Sequence, residues 1–396
     1  MKRSDKKRLS HDRRAIYRGL LSLCIGLSLC IGLCFCLCSC GDDGSSSGNT
    51  GGDATAGSGG ADVSEPVSRD FFAMDTYMTV TAYGEKAAEA TEAAEEEVSR
   101  LDAMLSTGNK DSEIARVNAG SGTELSEEAG ALVEQGLALY EETGKRFDIA
   151  IYPIMEAWGF TDKDYRVPDE AELEKLLPLT DASKVHYDAD THRVSFDEDG
   201  MAIDLGGIAK GYTSSRIMEI YKEHGIESGL VSLGGNVQVL GTKPDGSNWR
   251  VAVQDPGMES ADEAADSEDA AGDEAAAQVQ YLGVLEAADT AVITSGAYER
   301  NFTQDGVLYH HIIDPATGKP ADSGLKSVTI VSSDGTLADA LSTSLYIMGK
   351  DDALDYWRSH SDQFDCILMD DDDEIYITAP IAEQFTSEDY HVNVVK

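Results

Sequence analysis

The sequence predicts an α+β fold in which strands and helices are mixed without regular alternation. Two adjacent patterns predict a strand followed by a helix. Residues 77–83 alternate between apolar and polar like a strand, and the Ala/Glu-rich segment 85–105 repeats apolar residues at helical spacing. The later candidate elements do not alternate regularly enough for a doubly wound sheet. With 396 residues, 41% of them hydrophobic, the chain can bury a sizeable core in one large or two smaller domains.

The remaining elements follow from caps, turns and apolar runs. Ser126 is a typical N-cap for a helix over 127–143, and Gly144 closes it. The string over 185–196 predicts a hairpin around 188–191, and Cys366 lies in an apolar stretch that predicts a buried strand. Further helices are predicted over 170–177, 208–224, 337–347 and 353–360, and further strands over 201–205, 229–233, 237–240, 249–253, 281–285, 291–294 and 328–331.

Two acidic runs are predicted to be surface features. Residues 259–274 contain eight acids and no base, which predicts a disordered acidic insertion over about 257–278 between two strands. Residues 370–374 form a second run, and a solvated turn between two strands explains it better than a calcium loop, because the EF-hand spacing is absent.

The net charge of −42 is unevenly distributed. Residues 1–39 hold eight basic and two acidic residues, which leaves 23 basic and 71 acidic residues for the rest of the chain. So acidic a body repels phosphate backbones and anionic lipid, and this argues against nucleic-acid binding. A phosphate-bearing ligand would need a metal ion or locally placed donors.

The N-terminal sequence predicts a secretory leader over 1–39. A basic stretch precedes an uncharged apolar run over 19–39, which could alternatively remain as an uncleaved membrane anchor. Residues 37–40 resemble the lipobox of bacterial lipoproteins, in which the cysteine, here Cys40, is lipidated. We therefore expect a Gly/Ser-rich tether over 40–67, a globular domain over 68–396, and an extracytoplasmic protein anchored to the cell membrane.

The cysteines do not indicate a zinc site or an intrachain disulfide. Six of the seven lie in or at the end of the leader, so their close spacing belongs to apolar sequence destined for a membrane. After cleavage only Cys40 and Cys366 remain.

The densest candidate site is the segment 204–212. A short predicted strand ending at Leu205 runs into Gly206 and Gly207, and then into a helix with Lys210 near its start. Exposed amides at a helix start and glycines that let a ligand approach the backbone favour anion binding. Tight packing at the two glycines and an ordinary exposed lysine remain the alternatives.

A second cluster covers residues 309–320. Its Asp-Pro-x-Thr-Gly sequence from Asp314 to Gly318 is typical of a structural turn. Two adjacent histidines, His310 and His311, precede it. In a strand they point to opposite faces, so only one of them can face a given pocket, as an acid, a base or a ligand.

The third cluster is Asp339 and Thr343, four residues apart on a predicted helix. At that spacing they share one face, and their oxygens suit a hard cation such as Mg²⁺. The alternative is an aspartate that is favoured near a helix N-terminus by the helix dipole. Together the three clusters indicate a phosphate-bearing ligand, a divalent metal and a nearby histidine.

Short motifs in a fixed order run through nearly all of residues 70–350. They are Met74-Asp75-Thr76, Ser112-Glu113-Ile114 with Asn118, Phe147-Asp148, Ala157-Trp158-Gly159-Phe160, 204–211, Ser232-Leu233-Gly234-Gly235-Asn236, Thr294-Ser295-Gly296, 311–318 and 338–343. This ordered set resembles the ApbE family of bacterial FAD:protein FMN transferases. One departure is Asp75, where the family usually has glycine, which bears on the local backbone or on a contact near the flavin.

The resemblance implies a single catalytic domain of the ApbE-like type that binds FAD and Mg²⁺. Such an enzyme transfers the FMN half of FAD to a threonine or serine hydroxyl of another protein and releases AMP. Its acceptors are exported flavoproteins and subunits of membrane redox complexes, which agrees with a lipid-anchored location. The implied FAD contacts are Met74, Trp158, Gly159, Phe160, Asp204, Lys210 and Ile312.

The resemblance also implies a metal site and catalytic groups. The carbonyl oxygen of Gly207 and the side chains of Asp339 and Thr343 would hold Mg²⁺. Lys210 would support the phosphates, and His311 would assist as an acid or base or orient the phosphate, unless His310 faces the site instead.

Three other functions remain open at this stage. An FAD pyrophosphatase would use the same pocket and metal, with water in place of the protein hydroxyl. A non-catalytic FAD-binding lipoprotein would not need a metal on the diphosphate. A solute-binding lipoprotein would have two lobes and would leave the ordered motifs unexplained.

Overall fold

A large, mostly antiparallel sheet organises the part of the chain that the computed structural model describes, residues 65–120, 124–257 and 281–396. These residues belong to one compact unit, Gly59–Lys396. The strands are β1 (Val67–Ala73), β2 (Thr76–Tyr83), β3 (Val185–Asp188), β4 (Arg193–Phe196), β5 (Ser228–Leu233), β6 (Asn236–Leu240), β7 (Trp249–Gln254), β8 (Tyr281–Ala287), β9 (Thr290–Gly296), β10 (Asn301–Gln304), β11 (Val307–His310), β12 (Ile313–Asp314), β13 (Lys319–Pro320), β14 (Leu325–Ser332), β15 (Asp365–Asp370), β16 (Ile375–Thr378), β17 (Phe385–Thr386) and β18 (Val392–Val395).

The helices begin where the sequence supplies caps. Ser126 accepts a hydrogen bond from the amide of Ala129, as the sequence predicts, and Asp334 caps a later helix through the amide of Leu337. The α-helices are α1 (Ala87–Leu105), α2 (Glu113–Ala119), α3 (Glu127–Glu142), α4 (Tyr152–Trp158), α5 (Glu170–Leu176), α6 (Gly206–Glu223), α7 (Gly335–Met348) and α8 (Lys350–Ser359).

Within the described ranges the large sheet has the strand order β1-β2-β5-β6-β9-β14-β15-β16-β18. Neighbouring strands are antiparallel except β16 and β18, which are parallel. Small two-stranded sheets pair β3 with β4, β10 with β11, and β12 with β13. The predicted α+β class is confirmed, because the sheet is not built from parallel strand-helix-strand units.

Alternating side chains give the large sheet two buried faces. Ile293 and Leu368 pack with α7 and α8 on one face, and Val292 and Ile367, their sequence neighbours, pack with the small sheet β17-β8-β7 on the other. Helices α1 and α6 cover β1, β2 and β5. The large sheet is thus held between a helical layer and, over its central strands, a second small sheet.

The structure corrects several predicted elements. Residues 201–205 were expected to form a strand, but they join no sheet in the described part of the chain. The backbone amide and carbonyl of Ile203 are hydrogen-bonded to the side chain of Asn118, and the amide of Asp204 donates to the carbonyl of Ile149. Helix α6 begins at Gly206, two residues before its predicted start. Strand β1 and the short helices α2 and α4 were not predicted.

Other expectations lie wholly or mainly outside the described residues. The leader over 1–39, Cys40, most of the tether over 40–67 and nearly all of the acidic insertion over 257–278 belong to this group. In the ranges that the structure describes, no helix combines the length and the apolar character needed to cross a bilayer. Cys366 is fully buried in β15, as predicted.

Candidate active site

A cavity of about 140 Å³ lies where the start of α6, the middle of α7 and the segment after β11 meet. It brings together most of the residues that the sequence singled out. Those that line it are Asp204, Gly207, Lys210, His311, Ile312, Asp339 and Thr343. Its volume is below the usual 300–1,000 Å³ of small-molecule pockets, so it suits one part of a dinucleotide and not the whole.

Close packing of α6 on α7 sets this geometry. A Cβ atom on Gly211 would lie 2.1 Å from the carbonyl oxygen of Gly335 and 2.6 Å from the Cβ of Asp339. A Cβ on Gly335 would lie 2.6 Å from the carbonyl oxygen of Gly211. Both positions therefore require glycine, and their contact places the Lys210 turn of α6 directly beside Asp339 of α7.

Asp339 is a buried carboxylate that is fixed by the chain around it. Its Oδ2 accepts a hydrogen bond from the amide of Gly211 at 2.8 Å, and its Oδ1 accepts one from Nδ2 of Asn236 at 3.1 Å. Burial raises the pKa of Asp339, and the nearby positive charge of Lys210 partly opposes this shift. A cation at this carboxylate would relieve the cost of burying its charge.

Asn236 reaches Asp339 because of a tight turn between β5 and β6. Gly234 and Gly235 connect the two strands, and both have positive φ, at 62° and 91°. A side chain at Gly234 would also collide with Thr76, since its Cβ would lie 2.4 Å from Oγ1. The glycines of the Gly-Gly-Asn motif thus form the turn, and Asn236 contributes a hydrogen bond to Asp339 in the site.

The donor set around Asp339 fits a magnesium ion. Thr343 lies one turn further along α7 and lines the same cavity as the backbone of Gly207. The Thr343 hydroxyl has only a long contact, 3.4 Å, to Ser295 among its hydrogen bonds to described residues. Carboxylate, hydroxyl and carbonyl oxygens are the ligands that Mg²⁺ takes, usually together with water or phosphate.

Asp339 is the one acidic side chain among the predicted magnesium ligands. Across the described residues, no group of three or more His, Cys, Asp and Glu side chains could hold a metal ion by itself. An ion at Asp339 would therefore need further oxygens from a ligand or from water.

The two adjacent histidines face different environments. His311 lines the cavity, and its backbone amide and Nδ1 both approach the carbonyl oxygen of Arg300, at 3.0 and 3.2 Å. His310 is buried on the other side, against Tyr346, with Nε2 at 3.1 Å from the carbonyl of Ala321. Of the two, the structure therefore places His311 at the site.

The hydrogen bond to Arg300 fixes how His311 can act. A carbonyl oxygen only accepts hydrogen bonds, so the Nδ1 of His311 carries the proton and Nε2 keeps a lone pair. Burial, together with the positive charges of Arg300 and Lys210, holds the pKa of His311 well below its usual value of 6.5. The imidazole is neutral near pH 7 and is able to accept a proton.

Asp204 lies just before α6 and lines the same cavity. Its Oδ1 accepts a hydrogen bond from the amide of Gly206 at 2.7 Å. Burial raises its pKa, which the Gly206 amide and Arg300 partly oppose. At Gly207 a Cβ would lie 2.8 Å from the ring of Phe147, so glycine keeps this end of the cavity accessible from the backbone.

Four of the predicted flavin contacts do not line the cavity. Trp158 is buried, and its indole N–H donates to the carbonyl of Gly318 at 2.8 Å. Gly159 ends α4 in the left-handed conformation, and a Cβ there would lie 2.0 Å from the carbonyl oxygen of Asp164. Phe160 packs edge-on against His311, with ring centroids 6.4 Å apart. Phe160 thus packs behind His311, and Trp158 and Gly159 shape the chain beside it.

Met74 occupies a strained turn at the tip of the β1-β2 hairpin. It has a φ of 48°, and Asp75 has a φ of 61°, so neither residue has the ordinary backbone conformation of an L-amino acid. The Met74 sulfur lies 3.9 Å from the Thr213 hydroxyl of α6. Asp75, at the position where the resemblance leads us to expect glycine, is exposed and adopts the left-handed conformation that glycine favours.

The cavity also contains charged residues to which the sequence analysis gave no role. Arg146, Asp148, Glu299 and Arg300 line it. Burial raises the pKa of Glu299 to about 7 and that of Asp148 to about 6. Arg146 directly precedes the Phe147-Asp148 motif, so the neighbouring motif was the only sequence signal for it.

A larger groove of about 670 Å³ lies along α2 and α4. Its lining includes Asn118, Tyr152 and Met201, and none of the predicted site residues. The predicted site residues therefore line the smaller of these two spaces.

The sequence model of the ApbE family matches residues 74–368, which is most of the chain. The chain belongs to the ApbE family. The family predicted from the ordered motifs is therefore confirmed, as is the prediction that the chain is a transferase.

Individual relatives are also similar to this chain over most of their length. The FAD:protein FMN transferase of Treponema pallidum is 34% identical over 302 residues, covering 71% of this chain and 78% of the relative. That of Klebsiella pneumoniae is 30% identical over 301 residues, covering 75% and 87%. The crystal structure of the ApbE protein from Thermotoga maritima, 30% identical, superposes with a TM-score of 0.72 over 82% of this chain and 100% of that one.

Proposed function

We propose that this chain is a Mg²⁺-dependent FAD:protein FMN transferase that modifies a threonine or serine hydroxyl of exported or membrane-bound flavoproteins and releases AMP. One observation carries the proposal. Lys210, His311, Asp339 and Thr343, which lie on three separate segments, line one cavity in a chain whose relatives are named for this reaction.

The cavity residues would bind the diphosphate of FAD. Lys210 supplies a positive charge next to Asp339, and the start of α6 at Gly206 directs its dipole to the same place. Asp339, Thr343 and the carbonyl of Gly207 would hold Mg²⁺, which when bound supplies positive charge to the phosphate oxygens. Most of the rate would come from positioning and electrostatic stabilisation.

His311 would accept the proton of the attacking hydroxyl. A new bond forms between the acceptor oxygen and the FMN-side phosphorus, and the bond from that phosphorus to the bridging oxygen breaks. The electron pair leaves with AMP, and the proton passes to Nε2 of His311. The neutral state of the ring and the Nδ1 contact to Arg300 support this role.

The reaction with FAD and an acceptor distinguishes this proposal from the alternatives. The soluble domain from residue 68 is incubated with FAD, Mg²⁺ and an exported flavoprotein domain that carries an acceptor threonine. Intact mass should show a gain of one FMN on the acceptor together with release of AMP, and EDTA or mutation of the acceptor threonine should abolish the gain.

Two other outcomes would contradict the proposal. Free FMN and AMP in equal amounts, with acceptors of several sequences unmodified, would identify a pyrophosphatase. FAD that is bound but intact after incubation with the same acceptors would identify a flavin carrier.

We also propose that the protein acts outside the cytoplasm, attached to the membrane by a lipid on Cys40. The basic stretch, the apolar run and the lipobox-like residues 37–40 support this location. Labelling with radioactive palmitate should mark the wild type and not Cys40→Ala. Equal labelling of both would contradict the anchor and leave the transferase proposal intact.

A further inference from the structure

Three basic side chains line the candidate cavity without an acidic partner. Lys210, Arg146 and Arg300 have no carboxylate within 4.0 Å among the described residues, although four carboxylates line the same cavity. Elsewhere on this acidic chain, most of the described arginines are paired. Those with a carboxylate inside that distance are Arg69, Arg100, Arg166, Arg216 and Arg358.

The positive charges act on carboxylates of the same cavity. Lys210 is close enough to Asp339 to act on its charge, and Arg300 acts in the same way on Asp204. Both cations also act on His311. Neither Arg300 nor Arg146 is among the predicted metal ligands, so both are additional positive charges at the same cavity.

A diphosphate matches this arrangement. The cavity of about 140 Å³ is too small for a whole dinucleotide, and a diphosphate carries its negative charge on two adjacent phosphoryl groups. Guanidinium groups bind phosphate oxygens through paired N–H donors, which a lysine does not offer. Their lack of acidic partners leaves Arg146 and Arg300 available for an external anion.

We propose that Arg300 and Arg146 bind the diphosphate of FAD in this cavity, and that they select nucleotides with two phosphates over the free flavin. Arg300 then serves two purposes, because its backbone carbonyl orients His311 while its guanidinium neutralises the phosphate that departs with AMP. The inference rests on the proposed function for the identity of the nucleotide.

Calorimetric binding to the intact domain, with Mg²⁺ and without acceptor, tests the inference. The probes are FAD, inorganic pyrophosphate and riboflavin, which has no phosphate. Arg300→Gln and Arg146→Gln should each raise the Kd for FAD and for pyrophosphate by about 10-fold or more and leave the Kd for riboflavin unchanged. Arg300→Lys should recover part of the loss.

A matched control removes the same charge elsewhere. Arg250 is exposed on β7, also lacks a carboxylate within 4.0 Å among the described residues, and does not line the cavity. Arg250→Gln should bind all three probes like the wild type. A merely structural loss in the Arg300 variant would weaken riboflavin and FAD alike, and that result would overturn the inference.

The outcomes separate this inference from the proposed function. Unchanged Kd values for FAD and pyrophosphate in both cavity variants would overturn the inference, whether or not the wild type transfers FMN. Selective loss of FAD and pyrophosphate binding in the cavity variants, together with a wild type that transfers no FMN to any acceptor, would support the inference and overturn the transferase.

Discussion

At the scale of single residues, the site depends on groups whose charge states are set by their surroundings. Asp339 is buried, held by the amides of Gly211 and Asn236, and has a raised pKa. His311 has a lowered pKa and one nitrogen already committed to Arg300. One cavity thus holds a buried carboxylate that a cation would stabilise and a neutral imidazole that can accept a proton. This pair suits a phosphoryl-transfer reaction that a metal ion supports.

Asp339→Asn tests the metal role with little change in shape. We expect Mg²⁺-dependent FMN transfer to fall by about 100-fold or more while some FAD binding remains, because the side chain loses the charge that attracts the ion. Initial rates across a Mg²⁺ titration measure this. Asp334→Asn is the control, since it removes an equal charge from the start of the same helix and asparagine keeps the cap. Equal rates for the Asp339 variant and the wild type would remove the metal assignment.

The pH dependence of transfer tests the role of His311. A base is active when it is deprotonated. Because the pKa of His311 lies well below 6.5, the ring stays neutral until the pH falls below that lowered pKa. The acid limb of the kcat/KM profile should therefore lie below pH 6.5, and His311→Gln should lose activity at every pH. His186→Gln, a change at an exposed histidine of β3, should keep the wild-type profile. An acid limb near or above pH 7 would contradict the assignment.

At the scale of elements, the contact between α6 and α7 holds the site together. Gly211 and Gly335 allow the two helices to approach closely, and this approach brings Lys210 next to Asp339. The turn at Gly234 and Gly235 then adds Asn236 from the sheet. The site is thus assembled by backbone contacts between elements that are distant in sequence.

Gly211→Ala tests this contact. The added methyl group would overlap the carbonyl of Gly335, so we expect a loss of about 1–3 kcal/mol in the free energy of unfolding and a larger relative loss of FMN transfer. Thermal melting and transfer rates measure the two effects. Gly108→Ala has no atom closer than 3.9 Å to the new carbon and should match the wild type. An unchanged melting temperature in Gly211→Ala would contradict the packing argument.

The sequence predicted the elements that carry local signals. Helix α3, with Ser126 as its cap, and the hairpin of β3 and β4 are confirmed because caps and alternation act over a few residues. The predicted strand over 201–205 was wrong. The apolar pattern there reflects burial next to Asn118 and Ile149, and the segment has no partner strand among the described residues. That distinction depends on contacts that no local pattern reveals.

The cavity was predictable only in part. Asp339, Thr343, Lys210 and His311 lay in recognisable motifs, and the structure brings them to one cavity. Arg300 could not be selected from sequence, because an arginine becomes informative only when its lack of acidic partners is known. The choice between His310 and His311 also required the structure, since their pattern predicts opposite faces but not which face is the site.

At the scale of the whole molecule, an acidic protein places in one cavity three basic side chains without a carboxylate within 4.0 Å among the residues that the structure describes. The chain has a net charge of −42, yet Lys210, Arg146 and Arg300 line a single cavity. Acidic surroundings discourage nonspecific binding of polyanions, so a local cluster of cations gives selectivity for an anion that fits the cavity.

The acidic segment 258–280 is expected to be dispensable for folding. It connects β7 to β8, which are antiparallel neighbours paired at Gln254 and Tyr281, so a short linker can join them. Replacing the segment with a short Gly/Ser loop should change the free energy of unfolding by no more than about 1 kcal/mol, because loop entropy depends weakly on length. Thermal melting measures this. A large drop in melting temperature would show that the segment stabilises the fold.

The proposed function requires that the cavity at Asp339 holds the diphosphate of FAD. A crystal structure of the wild-type domain with FAD and Mg²⁺ tests this requirement. We predict density for the diphosphate between Lys210 and Arg300, with an ion at Asp339 and Thr343. A diphosphate bound in the larger groove along α2 and α4, with the Asp339 cavity free of nucleotide and metal, would contradict the claim.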